Sequence, residues 1–167
     1  MTTKKIANCA ILATLAMGLS LLERYIPLDF VLPGLKLGLA NIVTVYALIR
    51  IGKKEAFMIF LTRVLVTGIV SGRISSLIFS VLGGAFAWAI MSILVPLLDK
   101  NISIIGLSIA GAAFHNIGQI IAGIITIGSF SVLSYLPYLL FLSIPVGFIT
   151  GIILSEFMKR TKNLPQF

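Results

Sequence analysis

Residues 102–128 read ISIIGLSIAGAAFHNIGQIIAGIITIG, a run of 27 residues that contains no Asp, Glu, Lys or Arg. A helix that crosses the hydrocarbon core of a bilayer needs about 20 consecutive, mostly apolar residues. The run is long enough for one crossing, and the glycine at its end is typical of a helix terminus. It predicts a membrane-spanning helix that also carries several strongly polar side chains.

Five other segments of the chain are similarly apolar. Together with the first, the six runs cover residues 6–22, 34–51, 55–71, 75–97, 102–128 and 132–157. Charged residues, prolines and glycines cluster between the runs, and such residues are typical of helix ends. We therefore expect an all-α, polytopic membrane protein with six transmembrane helices, folded as a single domain over residues 1–167.

The composition of the whole chain supports this expectation. Its 167 residues are 59% hydrophobic and 11% charged, and the mean hydropathy is +1.13. A soluble domain carries roughly 45–50% apolar and about 25% charged residues. Six helices of about 20 residues would use about 120 residues, which leaves only short loops. An ordinary soluble domain and a separate extramembrane module are both excluded.

The chain holds few residues for metal or nucleotide chemistry. One cysteine and one histidine, Cys9 and His115, argue against disulfides, zinc sites, iron–sulfur clusters and bis-histidine haem within the chain. The Gly52-Lys53 pair lacks the other residues of a P-loop. The basic residues behind the net charge of +8 are scattered between apolar runs, unlike a nucleic-acid surface. We expect no metal site, catalytic site, nucleic-acid partner or ATPase in this chain.

Lysine and arginine are distributed unevenly between the two predicted sides of the membrane. With six crossings, both termini lie on one side, which would hold most of the basic residues: Lys4, Lys5, Arg50, Lys53, Lys54, Lys100, Lys159, Arg160 and Lys162. The opposite side would hold Arg24 and Arg73. Because cytoplasmic loops carry an excess of Lys and Arg, we expect a multi-pass protein of the cell membrane with cytoplasmic N- and C-termini.

The first apolar run could also be a cleaved signal peptide, because Lys4 and Lys5 precede it and residues 14–16 resemble a cleavage site. Cleavage would leave five spans and place the basic C-terminus outside the cell. We favour an uncleaved first helix, since it preserves the charge bias.

Strongly polar side chains inside the predicted spans are the main candidates for function, because they are costly in lipid unless they line a pocket or find partners. Arg63 lies near the middle of the third helix. The fifth helix carries one small-or-polar face at spacings of three and four residues, formed by Ser108, Ala112, His115, Gln119, Ala122 and Thr126. With Asn116 beside this face, we expect a ligand pocket that includes Arg63, His115, Asn116 and Gln119. The alternatives are an ion pair of Arg63 with Glu23 and a purely structural His115.

A second group of candidates lies at the start of the second helix. Lys36 follows the Pro33-Gly34 break, and Asn41 lies about a turn and a half further along the chain. A helix N-terminus carries a partial positive charge, which a lysine would reinforce. We expect Lys36 and Asn41 to complete a site for an anionic or electron-rich ligand, with Glu23 as a counter-charge. Packing of Lys36 against lipid head groups is the alternative.

Small residues recur four positions apart on two of the predicted helices. They are Ala10, Thr14 and Gly18 on the first helix and Ser76, Ser80 and Gly84 on the fourth. Such stripes let helix backbones approach closely in a membrane. They indicate either packing inside the bundle or, on the first helix, docking onto a partner membrane protein.

Residues 33–44, PGLKLGLANIVT, are similar to the signature of the Gx transporter family, which is also labelled heptaprenyl diphosphate synthase component I. Other pieces of the family pattern follow in order: Glu23 with Ile26-Pro27, residues 54–56 (KEA), 63–65 (RVL), 80–84 (SVLGG), 111–116 (GAAFHN) with Gln119, and 135–137 (YLP). The resemblance covers nearly the whole chain.

This resemblance implies a bundle like that of the six-helix substrate-binding (S) components of energy-coupling factor transporters. In those transporters, substrate binds near the extracellular side, and a separate membrane subunit with two ATPases supplies the energy. For this chain, the resemblance implies uptake of a small anionic or amphipathic ligand and a membrane coupling subunit as partner.

Two other functions remain open. The family is associated with membrane electron-export systems, so the bundle could hold a quinone or flavin with His115 and Gln119 as partners for its carbonyls. An accessory role in polyprenyl diphosphate synthesis is the third. Catalysis of that reaction is excluded, because such synthases hold magnesium through aspartate-rich motifs, whereas the two aspartates here, Asp29 and Asp99, lie far apart.

The predicted topology can be tested by thiol labelling of intact cells, in a background in which Cys9→Ala removes the native thiol. Cysteines introduced by Lys53→Cys and Lys162→Cys should be shielded from an impermeant reagent, because both positions are predicted to be cytoplasmic. A cysteine from Asp29→Cys should react. Labelling at position 162 but not at position 29 would overturn the orientation.

Overall fold

The structure is a computed structural model that describes residues 3–23, 25, 38–72, 74–98 and 100–161. Within these residues the chain forms α-helices and two short 3-10 helices, with no β-strand. The α-helices are α1 (Thr3–Glu23), α2 (Leu39–Arg50), α3 (Lys53–Ser71), α4 (Ile74–Leu94), α5 (Ile104–Ile127) and α6 (Leu136–Arg160). The 3-10 helices, Val95–Leu97 and Phe130–Tyr135, precede α5 and α6. The all-α prediction is confirmed.

The helices differ in how well they suit a membrane crossing. Among the described residues, four segments are long and apolar enough: Thr3–Glu23, Ser76–Leu97, Ile104–Ile127 and Phe130–Arg160. The 12 residues of α2 extend about 18 Å at 1.5 Å per residue, less than the roughly 30 Å of a hydrocarbon core. The third helix, α3, carries Lys53, Lys54, Glu55 and Arg63. The chain is therefore built as a membrane protein, and the count of six spans stays a prediction.

Both described ends of the chain lie at the same end of the bundle. The Lys5 ammonium on α1 lies 2.6 Å from the Glu55 carboxylate at the start of α3. Arg50, at the end of α2, donates from Nη2 to the Met158 carbonyl near the end of α6, over 3.4 Å. These contacts bring the first turn of α1, the α2–α3 connection and the last turns of α6 together. We call this the basic end; the side of the membrane that it faces stays a prediction.

The fifth helix packs against both α4 and α6 through close backbone contacts at glycine. A Cβ atom added to Gly118 on α5 would lie 2.5 Å from the Leu82 carbonyl oxygen of α4. On α6, added Cβ atoms at Gly147 and Gly151 would lie 2.4 Å and 2.7 Å from the Cα atoms of Ile109 and Ile105 on α5. No side chain fits at these distances, so glycine is needed for α5 to lie this close to its neighbours.

The two small-residue stripes have different surroundings. On α4, the stripe packs inside the bundle, because a Cβ atom at Gly84 would overlap the Phe60 ring of α3. On α1, the residues that pack against α2 and α3 are instead Ala13 and Ala16, which are buried. The predicted docking residues of α1 all lie exposed on another face of the helix: Ala10, Thr14 and Gly18. Packing inside this bundle is therefore the wrong interpretation for the α1 stripe, and docking stays a prediction.

Substitution of two glycines should separate close packing from exposure. Gly118→Ala should destabilise the protein by about 1–3 kcal/mol, the usual cost of overpacking, because its Cβ atom would meet the backbone of α4. Gly18→Ala is the matched control, since a Cβ atom there has nothing within 4 Å. Thermal unfolding in detergent should show a lower Tm for Gly118→Ala alone. Equal Tm values for the two variants would contradict the close α4–α5 contact.

Candidate functional site

A pocket with a cavity volume of about 30 Å³ lies between α2, α4, α5 and α6. Its polar lining comes from three helices and consists of Asn41 on α2, Ser108, His115 and Asn116 on α5, and Ser143 and Thr150 on α6. The apolar lining includes Ile42, Val45, Met91 and Val146. Small-molecule sites commonly combine apolar walls with a few placed polar groups. The mixed lining therefore suits the polar and apolar parts of a small molecule.

The pocket lies at mid-depth in the bundle. Measured along their helices at 1.5 Å per residue, Asn41 lies about 14 Å from Arg50, and His115 about 17 Å from Ile104. Arg50 is the last residue of α2 and Ile104 is the first residue of α5, and both lie at the basic end of the bundle. Since half of a hydrocarbon core is about 15 Å, the polar lining would lie near the middle of a bilayer. At that depth polar side chains are costly unless they serve a pocket.

Arg63 lies behind the pocket rather than in its lining. Its side chain on α3 is buried, with 7% of the residue exposed, and its Nη2 donates to Oδ1 of Asn41 over 3.4 Å. Its guanidinium carbon lies 5.9 Å from the centre of the Phe60 ring, in range for a cation–π interaction. Among the described side chains that line the pocket, Asn41 is thus the one that connects it to Arg63.

Glu23 fixes the start of α2. Its Oε1 accepts a hydrogen bond of 2.8 Å from the backbone N–H of Leu39, the first residue of that helix. The preceding residue, Gly38, has φ of 73°, a left-handed conformation that glycine adopts without steric cost. The carboxylate also attracts the positive charge of Arg63, and it complements the positive end of the α2 dipole. Glu23 therefore positions Asn41 and Gly38 at the pocket without belonging to the described lining.

His115 and Gln119 pack against a glycine of α4. A Cβ atom at Gly83 would lie 2.9 Å from Cε1 of His115 and 3.0 Å from Cγ of Gln119. His115 also lines the pocket, whereas Gln119 is not among the described lining residues. Gln119 is 4% exposed, and its Nε2 has no hydrogen-bond partner among the described residues. Gly83 thus supplies the space that lets both side chains lie between α4 and α5.

Asn116 joins α5 to α6 at the pocket. Its Nδ2 donates to the Leu139 carbonyl over 2.8 Å, on the part of α6 that precedes Pro145. A proline inside a helix removes one backbone hydrogen-bond donor, and Pro145 lies two residues from Ser143 of the pocket lining. Asn116 therefore serves both the pocket lining and the packing of these two helices.

Three polar lining residues lie outside the site predicted from the sequence. Ser108 belongs to the predicted polar face of α5, and Ser143 and Thr150 lie in the apolar run of α6. The hydroxyl of Ser143 donates to the Leu140 carbonyl, and that of Thr150 to the Val146 carbonyl over 3.0 Å. Ser143 and Thr150 are seven residues apart, a spacing that places both on one face of a helix. This spacing is the sequence signal that could have identified them.

The structure brings together most of the predicted ligand-binding residues. Asn41, His115 and Asn116 line the pocket. Arg63 contacts Asn41, Glu23 holds the start of α2, and Gln119 adjoins His115 at Gly83. The remaining candidate, Lys36, lies outside the described residues. No group of three or more His, Cys, Asp and Glu side chains suited to a metal occurs among the residues that the structure describes.

Long apolar helices around a partly polar internal pocket define an integral membrane protein. A family model described as heptaprenyl diphosphate synthase component I matches residues 12–157, and the chain belongs to this family. The label named from the sequence motifs is thereby confirmed. No curated protein and no solved structure matches the chain.

Proposed function

We propose that this protein is a membrane substrate-binding component of a transporter, similar to an energy-coupling factor S component. The pocket between α2, α4, α5 and α6 carries the proposal. It combines hydrogen-bonding groups from three helices with apolar side chains, at a depth where lipid would not tolerate unused polar groups. A binding site inside the bundle, open to one side at a time, is what a substrate-binding component requires.

The lining favours an amphipathic ligand. The polar lining side chains of α5 and α6 are the hydroxyls, amide and imidazole of Ser108, His115, Asn116, Ser143 and Thr150. The apolar groups would contact a hydrocarbon or ring portion of the ligand. Positive charge comes from Arg63 behind Asn41 and, by the sequence prediction, from Lys36. Hydrogen-bonding side chains and nearby positive charge together suit a ligand whose head group is rich in hydrogen-bond acceptors. An anionic head group would fit these features best.

Energy for uptake would come from a partner. We propose that a membrane coupling subunit with ATPases docks on the exposed face of α1. That face presents Ala10, Thr14 and Gly18 together with exposed Ile11 and Leu15. The small residues would allow close approach of a partner helix, and the apolar ones would pack against it. In the proposed orientation both termini are cytoplasmic, and we propose that the ligand enters from outside, as in the transporters that the chain resembles.

Quinone- or flavin-linked electron transfer is the second candidate function. One observation favours it: the buried Nε2 of Gln119 has no hydrogen-bond partner among the described residues. A ring carbonyl is an acceptor that such a donor can bind, and Gln119 adjoins the pocket-lining His115. An accessory, non-catalytic role in polyprenyl diphosphate synthesis is the third candidate, and it rests on the family's description.

Native mass spectrometry of the protein purified from its own membranes tests the binding function. The wild type should carry a small-molecule adduct, and His115→Ala should reduce the adduct at least about tenfold, since one lost polar contact of about 1.4 kcal/mol has that effect. Thr126→Ala is the matched control. It removes a polar group from the same helix, but Thr126 bonds to the backbone carbonyls of Ala122 and Gly123. Equal adduct in all three proteins would contradict the assignment of the pocket.

The identity of the extracted compound separates the candidate functions. A water-soluble, vitamin-like compound, with an ATPase pair in the same preparation, supports transport. A quinone or flavin supports electron transfer, and a prenyl diphosphate supports the accessory role. A wild-type protein that carries no small molecule after gentle extraction contradicts all three.

A further inference from the structure

Asn41 presents different atoms to its two neighbours. On one side it faces Arg63, whose guanidinium has only hydrogen-bond donors. The amide atom on that side must therefore be the oxygen, and Oδ1 indeed accepts from Nη2 of Arg63 over 3.4 Å. The amide nitrogen lies on the other side, where Nδ2 is 3.5 Å from the position of a Cβ atom added to Gly38. Gly38 and Asn41 both line the pocket.

We infer that Arg63 is a positioning residue, which holds the Asn41 amide so that Nδ2 donates to an acceptor atom of the bound molecule. This inference rests on the proposed binding function and deepens it, because it names one contact and its direction. The acceptor is a carbonyl oxygen, a ring nitrogen or an anionic oxygen. Without Arg63, the amide could rotate by 180° about its last bond and offer its oxygen instead.

The surroundings of Arg63 fit this indirect role. The guanidinium is buried and lies near the Phe60 ring, and the Glu23 carboxylate supplies an attractive charge. These groups hold the cation on the α3 side of Asn41. A direct bond to the bound molecule would require the guanidinium to leave them and to pass the Asn41 side chain. The described lining of the pocket contains Asn41 but not Arg63.

Two rival roles of Arg63 predict different effects of its substitution. If Arg63 itself bonds to the bound molecule, its contribution to affinity is independent of the Asn41 amide. If Arg63 only stabilises the bundle through Glu23, its loss weakens binding whether or not Asn41 is present. Only a role exercised through Asn41 makes the effect of an Arg63 substitution depend on residue 41.

A double-mutant cycle separates these roles. The probe is the compound extracted from the wild-type protein, titrated back into stripped wild type, Arg63→Met, Asn41→Ala and the double variant. We expect each single substitution to weaken binding about tenfold, as for one lost hydrogen bond, and the double variant to be no weaker than Asn41→Ala. Independent contributions would multiply to about a hundredfold loss. That result would overturn the inference.

A second variant keeps the test decisive if Arg63→Met fails to fold. Asn41→Asp retains an acceptor for Arg63 but has no donor for the pocket. We expect a Tm no lower than that of the wild type and a loss of affinity of about tenfold. Wild-type affinity in Asn41→Asp would overturn the inference while leaving the binding function intact. A wild-type protein that yields no compound would instead contradict the proposed function itself.

Discussion

The close backbone contact of α5 with α4 and α6 is the constraint on which the pocket depends. Gly118 meets the backbone of α4, and Gly147 and Gly151 meet the backbone of α5. Contacts this short fix both the separation and the rotation of the helices, because a small turn of α5 would bring side chains into the same space. They therefore determine that His115 and Asn116 face the pocket rather than lipid. Apolar burial gives little direction in a membrane, so glycine packing supplies it.

The other side of the pocket depends on how the protein accommodates a buried cation. Arg63 lies in a part of the bundle where an unpaired charge would be costly, and it is met by Asn41, by the Phe60 ring and by the field of Glu23. Glu23 also accepts a hydrogen bond from the first backbone N–H of α2. One group of interactions thus fixes the start of α2, contacts the Asn41 amide and offsets part of the cost of burying the charge. The same side chains thus meet a structural need and take part in the proposed binding role.

Hydropathy predicted the helices well, because lipid demands long apolar runs with internally satisfied backbones. The polar face of α5 was also visible, since its spacing follows the helical repeat. The sequence does not show which helices pack against each other. Periodicity assigns a side chain to one face of its helix but does not identify the residues that this face contacts. The sequence therefore predicts Arg63 in the pocket and does not distinguish the hydroxyls of Ser143 and Thr150 from their apolar neighbours. The described helix α2 begins at Leu39, after Gly38, and Lys36 lies outside the described residues.

The most direct measurement is a density map of the protein, purified from its own membranes and embedded in lipid nanodiscs. The central claim predicts non-protein density between α2, α5 and α6, within hydrogen-bond distance of Asn41 Nδ2 and adjacent to His115. In that map Arg63 remains on the far side of Asn41. The claim is contradicted if side chains fill this space in the map, or if bound density lies elsewhere and these residues contact only each other.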